Sequence, residues 1–180
     1  MLTRTEYIKA RNRAAQMMKE AGVVINQKEI EEMDVADFGF SNLMVEGGQM
    51  LTFFNTDRVS AKVIALFPDQ TLPEHWHTAF GQDPGKEETI RVIWGTLYFC
   101  RQGENTLKMA KIPKGKEECY TAREETVMTP GSQITVEPGV KHWFQAGEEG
   151  AVAFSFSSSA RDALDLFTDK NFLRVTKIVD

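Results

Sequence analysis

The chain has 180 residues, of which 42% are hydrophobic and 26% are charged, and its formal net charge at pH 7 is −5. These proportions are typical of one soluble globular domain, and the negative charge argues against nucleic acid or an anionic membrane surface as a partner. No apolar run is long enough to span a bilayer. The start of the chain has no signal-peptide core, and Cys100 and Cys119 are isolated, so we expect a cytoplasmic protein.

Two helices are predicted near the start of the chain. Apolar residues recur at helical spacing over residues 3–21, and Gly22 suits the end of a helix there. A shorter helix is predicted near Gln27–Met33, because Asn26 and Glu29 stand in the positions of a capping box. The basic residues of the first helix are typical of a solvated face rather than of a binding surface.

From about residue 50 the pattern changes to short strands. β-Branched and aromatic residues cluster in short runs, and Pro and Gly punctuate the chain between them. This punctuation favours an antiparallel sandwich or barrel over a fold of alternating strands and helices. Residues 160–167 are predicted to form one or two closing helical turns. The predicted strands are 59–67, 89–100, 133–137 and 151–155.

The most informative residues are the three histidines of the chain. His75 and His77 are two positions apart, so in a strand both imidazoles point to the same face. His142 lies far downstream, and the carboxylate of Glu88 follows the pair. Three neutral imidazoles and one anionic oxygen form a plausible set of ligands for a divalent transition metal.

The spacing of these residues resembles the two-motif signature of the cupin superfamily. The first motif runs from the histidine pair through Glu88 to Gly95, and the second covers residues 131–142. The resemblance implies a mainly β fold, with a single cupin-type antiparallel β-barrel (jelly-roll) that holds one metal. We expect residues 49–180 to form this barrel and residues 1–48 to form a helical segment packed on it, within one structural domain.

A closer resemblance is to the cupin-type D-lyxose ketol-isomerases. It implies a metal-dependent aldose–ketose isomerase, most simply with Mn²⁺, although Zn²⁺, Fe²⁺ or Co²⁺ suit the same ligands. The substrates would be D-lyxose and D-xylulose, often with D-mannose and D-fructose, and the enzyme would be a homodimer that binds neither nucleic acid nor membrane. The matching segments are residues 55–58, 61–62, 73–77, 86–91, 141–147 and 167–169.

Roles follow for individual residues. The metal ligands would be His75, His77, Glu88 and His142, and the metal would stabilise the enediolate formed when a base removes the C2 proton. Glu88 is the candidate base, and Lys62, predicted on the neighbouring strand, is the candidate proton donor or oxyanion partner. The candidate sugar-binding residues are Glu74, Lys86, Arg91, Trp143 and Gln145.

One position departs from this pattern. The resemblance implies a carboxylate in the strand after Gly150, where this chain has Ser155. If that carboxylate is the general base, Glu88 or another group takes the role here, or the protein handles another sugar, or its activity is weak. Two other functions stay open: an Fe(II)-dependent cupin dioxygenase, since the same ligands hold Fe(II), and a non-catalytic sugar-binding cupin.

Overall fold

The computed structural model describes residues 1–180, and it begins with two short helices. These are α1 (Arg4–Glu20) and α2 (Gln27–Glu32), and each starts with a complete capping box. In the second box the Asn26 side chain accepts from the Glu29 amide, and the Glu29 carboxylate accepts from the Asn26 amide. Both predicted helices are confirmed. Neither is long and apolar enough to cross a membrane.

The rest of the chain is mainly β. Nine of the eleven strands form one continuous sheet that curls into two halves. The first and last strands pair in parallel with each other and join the two ends of the chain. The strands are β1 (Leu2–Thr3), β2 (Asp34–Ala36), β3 (Gly48–Asn55), β4 (Val59–Leu66), β5 (Thr71–Trp76), β6 (Glu88–Arg101), β7 (Glu124–Met128), β8 (Gln133–Val136), β9 (His142–Ser158), β10 (Leu166–Phe167) and β11 (Ile178–Val179).

Two long strands, β6 and β9, pass from one half of the curled sheet into the other. The C-terminal half of β9 pairs with β4 and with the N-terminal half of β6, which also pairs with β8. The N-terminal half of β9 pairs with β5 and with the C-terminal half of β6, which also pairs with β7. All these pairings are antiparallel, so the curled sheet forms the expected cupin-type jelly-roll, and the mainly β fold class is confirmed.

The bend between the two halves of the sheet depends on Gly95. Its φ is +71°, and a Cβ built there would lie 2.1 Å from the carbonyl oxygen of Gly150 on β9. Two register shifts flank this point in the pairing of β6 with β9. A glycine here lets the two backbones approach closely while β6 changes direction.

Gly95→Ala is therefore expected to lower the free energy of unfolding by at least about 3 kcal/mol, measured by urea denaturation, because strain and a backbone clash add together. Gly131→Ala is the matched control, since Gly131 also has a positive φ but nothing within 4 Å of its Cβ position. Its cost is expected to be only about 1–2 kcal/mol. Equal losses in the two variants would show that the close approach at Gly95 is not limiting.

Apolar residues pack on both sides of the part of the sheet formed by β4 and the C-terminal half of β9. Side chains from both halves of the sheet meet inside the barrel, among them Ile64, Val92, Phe99 and Phe144. On the outside, Val63, Ala65 and Val152 lie beneath α1, whose Ala14 and Met18 are fully buried. The N-terminal segment thus covers one outer face of the barrel, and its strand β2 extends the sheet by pairing with β3.

Two regions differ from the sequence-based expectation. The strand predicted at residues 151–155 is part of the longer strand β9, which runs through the polar residues 147–150 with Glu148 and Glu149 exposed. Residues 160–167 form one 3-10 turn, Asp162–Leu164, and then strand β10. β10 forms because its backbone pairs with β5, a long-range contact that local helical propensity does not reveal.

Candidate metal centre and substrate pocket

Three strands bring the histidines and Glu88 together inside the barrel. β5 carries His75 and leads directly into His77, β9 begins with His142, and β6 begins with Glu88. His75 and His142 are directly opposite each other in the β5–β9 pairing. All four side chains are buried, and one ligand atom from each lies within 4.8 Å of the others. The arrangement predicted from the two histidine motifs is present.

The hydrogen bonds of the imidazoles orient their free nitrogens toward one point. Each Nδ1 lies 2.9–3.0 Å from a backbone carbonyl oxygen, which can only accept, so each Nδ1 carries the proton. The Nε2 atoms of His77 and His142 are buried and have no hydrogen-bond partner. Unpartnered lone pairs are costly in a protein interior unless they bind something, so this donor set fits a metal ion. The carbonyls belong to Pro73, Lys86 and Val140.

The protonation states also suit a cation. Burial lowers the pKa of all three histidines, that of His77 to about 3, so the imidazoles are neutral at pH 7. Burial opposes ionisation of Glu88, but the ammonium of Lys86, the nearby imidazoles and the Ser155 hydroxyl together hold the pKa of Glu88 well below its usual range. Three neutral nitrogens and one carboxylate can therefore bind a divalent ion without releasing protons.

Ser155 supports Glu88 directly. Its Oγ donates to Glu88 Oε1 at 2.5 Å, and both residues are buried. Ser155→Ala is expected to weaken metal binding by ~10–100-fold in a chelator competition, because a ligand that loses its hydrogen bond is less well oriented. Ser60→Ala is the control: Ser60 is also buried, but its hydroxyl bonds to the Phe54 carbonyl, so metal affinity should not change. Equal affinity in both variants would contradict the supporting role.

A pocket lined with alternating charges opens beside the four ligands. The ammonium of Lys86 lies 3.4 Å from Glu88, 3.4 Å from Asp162 and 3.9 Å from Asp165. Asp162 also forms an ion pair with Lys62 and lies 3.5 Å from Arg174. Burial would lower the pKa of Lys86, but its three carboxylate neighbours raise it, so this ammonium stays charged.

The C-terminal segment and the barrel supply the apolar part of the same pocket. Phe167 of β10 stacks on the His75 ring with centroids 5.4 Å apart, and Phe172 stacks on Phe167 at 3.5 Å. A pocket with apolar walls and a few converging polar groups is typical of a site for a small molecule. The remaining apolar lining residues are Phe38, Met50, Ile64, Leu72 and Phe144.

Comparison with known proteins places the chain in a family. The sequence pattern of the D-lyxose isomerase family matches residues 6–180. The chain belongs to the D-lyxose isomerase family. It is 49% identical to a D-lyxose ketol-isomerase of Cohnella laeviribosi over 175 residues, which cover 97% of this chain and 96% of that protein. It is 42% identical to a D-lyxose/D-mannose isomerase of Thermosediminibacter oceani over 181 residues, which cover both proteins completely.

Solved structures share the fold of this D-lyxose isomerase family member. The L-ribose isomerase of Cellulomonas parahominis aligns with a TM-score of 0.83 over 99% of this chain and 98% of that chain, at 14% identity. The L-ribose isomerase of Acinetobacter sp. DL28, in complex with L-ribose, aligns with a TM-score of 0.77 over the same shares of the two chains, at 17% identity. At these identities the likeness concerns the fold alone.

Of the residues predicted to act beside the metal in this family member, Lys62 and Lys86 line the pocket. Glu74 does not, and its expected role is corrected here. Its carboxylate lies on the other face of β5, where it accepts hydrogen bonds from the Thr121 and Ala122 amides at 2.6 and 2.7 Å. A fully engaged, buried carboxylate fixes the neighbouring loop and is not available to a sugar.

Gln145, Trp143 and Arg91 also lie outside the pocket. The Gln145 amide bonds to both backbone groups of Lys111, and the Trp143 indole donates to a backbone carbonyl at 2.7 Å in a fully buried position. Arg91 is exposed on the outer face of β6 and donates to Gln133. These three side chains have structural or surface roles, so their expected contacts with a sugar are corrected.

Glu88 is better suited as a ligand than as a base, which corrects the expectation that it does both. The Ser155 hydroxyl and the Lys86 ammonium both donate to its Oε1, and an anion stabilised by two donors has little tendency to accept a proton. Sequence reasoning also missed the acids Asp162 and Asp165 and the basic Arg174. The sequence did contain a signal for the two acids. They are three positions apart and lie next to residues 167–169, one of the segments that resemble the D-lyxose ketol-isomerases.

Proposed function

We propose that this protein is a divalent-metal-dependent aldose–ketose isomerase that interconverts D-lyxose and D-xylulose, with D-mannose and D-fructose as a second pair. The observation that carries the proposal is the buried group of three imidazoles and Glu88 beside a pocket lined by Lys62 and Lys86. Membership in the D-lyxose isomerase family supports the sugar and the reaction.

In this proposal His75, His77, Glu88 and His142 hold the ion, and we propose Mn²⁺ as its identity. When bound, the ion supplies a Lewis acid that polarises the sugar carbonyl and stabilises negative charge on its oxygen. Oxygen-rich substrates and a mixed nitrogen and carboxylate ligand set suit Mn²⁺, while Co²⁺, Fe²⁺ and Zn²⁺ bind similar sites by the usual order of affinities.

The ammonium of Lys62 supplies the proton transfer between the two sugar oxygens. It is buried, it lines the pocket, and Asp162 holds it in place. Lys62 can give a proton to O1 as the carbonyl gains charge and then take the proton from O2 as the ketose carbonyl forms. Lys86 and Arg174 donate to the remaining hydroxyls, since charge-assisted hydrogen bonds fix orientation strongly.

The apolar wall keeps water away from the reacting carbons. Phe167 lines the pocket with Phe172 stacked on it, and Phe144 of β9 adds a buried ring to the same lining. Excluding water strengthens each charged contact inside and protects a reactive enediolate from side reactions.

The proposal is tested with protein that is stripped by chelator and reloaded with Mn²⁺, Co²⁺, Fe²⁺ or Zn²⁺. Incubation with D-lyxose, D-xylulose, D-mannose or D-fructose should give conversion in both directions, with Mn²⁺ among the active ions. No conversion with any ion would overturn the isomerase assignment. Substrate-dependent oxygen uptake would then identify a dioxygenase, and saturable sugar binding without turnover would identify a binding protein.

We further propose a cytoplasmic homodimer. Phe53 and Phe54 on β3 and Phe156 on β9 are 37–50% exposed, and these two strands flank β4 on either side. Together the three rings form an exposed apolar surface suited to a second copy. Sedimentation equilibrium should give twice the chain mass, and Phe54→Lys together with Phe156→Lys should give the mass of one chain. A single-chain mass for the unmodified protein would contradict the homodimer.

A further inference from the structure

The pocket contains three acids, and their surroundings differ in a way that separates their chemistry. Glu88 is one of the four proposed metal ligands and accepts hydrogen bonds from Ser155 and Lys86. Asp162 is engaged by Lys62, Lys86 and Arg174. A carboxylate engaged by three cationic groups is stabilised as an anion and gains little by accepting a proton.

Asp165 is the acid with the fewest partners. Its nearest cationic atom is Lys86 Nζ at 3.9 Å, which is beyond hydrogen-bond distance, and its carboxylate accepts no hydrogen bond from the protein. Its side chain is only 10% exposed. Burial raises the pKa of Asp165 to about 7; Lys86 opposes the shift, and Asp162 and Glu88 add to it. A carboxylate that accepts no hydrogen bond from the protein keeps its lone pairs free to take a proton from a bound substrate.

The strand pairing directs Asp165 into the pocket. Phe167 is opposite His75 and Leu166 is opposite Trp76 in the antiparallel pairing of β10 with β5. Cross-strand partners share a face and neighbours alternate, so Asp165 projects to the same interior face as Phe167. Both residues line the pocket together with Lys62 and Lys86.

We infer that Asp165 is the catalytic residue that moves the carbon-bound proton between C2 and C1 of the sugar, an assignment that rests on the proposed isomerase function. The Asp165 carboxylate removes the C2 proton of the aldose, the C–H electron pair becomes the C1–C2 double bond, and the carbonyl π pair moves onto O1. Lys62 then relocates the hydroxyl proton from O2 to O1. The Asp165 carboxylic acid returns its proton to C1 as C2=O forms, so atoms and charges balance.

This division of labour gives each pocket acid one role. Glu88 contributes charge to the metal site, Asp162 orients Lys62, and Asp165 is the one acid of the three that changes protonation during turnover. The carbon proton and the oxygen proton are handled by different side chains on different elements: Asp165 precedes β10, whereas Lys62 lies on β4. Each transfer can then proceed without competing for the same group.

Asp165→Asn, which is nearly isosteric, tests the assignment in Mn²⁺-loaded protein. We expect unchanged metal stoichiometry and melting behaviour, with kcat for D-lyxose and D-xylulose lowered by ~10²–10⁴-fold. Deuterium incorporation from D₂O into C1 and C2 should fall by the same factor. Asp57→Asn, at an exposed turn residue without an ion pair, is the matched control and should keep full activity.

If the D165N protein keeps its metal and more than about a tenth of the unmodified kcat, the assignment of Asp165 is overturned while the isomerase function stands. If the unmodified protein converts none of the sugars, the isomerase function itself fails, and the assignment fails with it. Should D165N not fold, D165E retains the carboxylate but displaces it by one methylene. Its kcat should fall at least about tenfold, and an unchanged kcat would overturn the assignment.

Discussion

Replacing His77 by glutamine is expected to remove the metal and with it the activity. The Nε2 lone pair of His77 is buried, without a hydrogen-bond partner, and 3.5 Å from Glu88 Oε2, so no neighbouring group can substitute for it. Loss of a residue that hydrogen-bonds to a metal ligand lowers metal affinity by up to ~100-fold. Loss of a direct ligand should therefore lower it by more than that. Metal content after dialysis, measured by atomic emission, and sugar conversion should both fall to background.

The matched control for this change is Trp76→Phe. Trp76 precedes His77 in the chain but points to the opposite face, where the Lys141 ammonium lies 5.0 Å from its ring centroid. This variant should keep one metal per chain and full activity. Circular dichroism should show that both variants retain the barrel, because hydrophobic packing rather than the ion holds the sheets together. A full complement of metal in His77→Gln would refute the assignment of the site.

Strand alternation explains why the metal site could be predicted from the sequence and why the sugar contacts could not. His75 and His77 share a face because they are two positions apart. The same rule, applied to residues next to the ligands, excludes Glu74 beside His75 and Trp143 beside His142. Proximity in the chain is therefore a poor guide to proximity in the pocket when the chain is a strand.

Arg91 and Gln145 follow the same rule. Each lies three positions from a ligand, Glu88 or His142, and an odd separation in a regular strand reverses the face. Their neighbours Ile90 and Phe144 are the residues that point inward. By contrast Lys86, two positions before Glu88, does reach the pocket.

The acids of the C-terminal segment could not be placed from local sequence. Asp162 and Asp165 lie in a 3-10 turn and the residue after it, and only the pairing of β10 with β5 brings them over the barrel opening. That pairing joins positions about ninety residues apart and leaves no periodic signal in the chain. Ser155 was the available hint, since a neutral residue at an interior position implies that another group supplies any acid the pocket requires.

Asp165→Asn is also expected to stabilise the metal-free protein, and to do so only above acidic pH. An aspartate in an unfolded chain titrates near about 3.9, whereas burial raises the pKa of Asp165 in the folded protein to about 7. Between these values the folded state binds the extra proton, so the contribution of Asp165 to stability is complete below pH ~4 and is lost as the pH rises through ~7. Because the two pKa values differ by roughly three units, the free energy of unfolding falls by as much as about 4 kcal/mol over this pH range. Asparagine does not titrate, so the D165N protein does not lose this stability.

The measurement is urea denaturation in the presence of chelator, because a bound cation would lower the pKa of Asp165 and mask the effect. The stability difference between D165N and the unmodified protein should be close to zero near pH 4, should grow through pH 5–7 and should level off above pH 7. D57N removes an equal charge at an exposed site and should show no such rise. A flat difference for D165N would mean that Asp165 is ionised at little cost in the folded protein. Burial without a hydrogen-bond partner causes both the loss of stability and the readiness of Asp165 to accept a proton. A flat difference would therefore also argue against Asp165 as the proton-transferring residue.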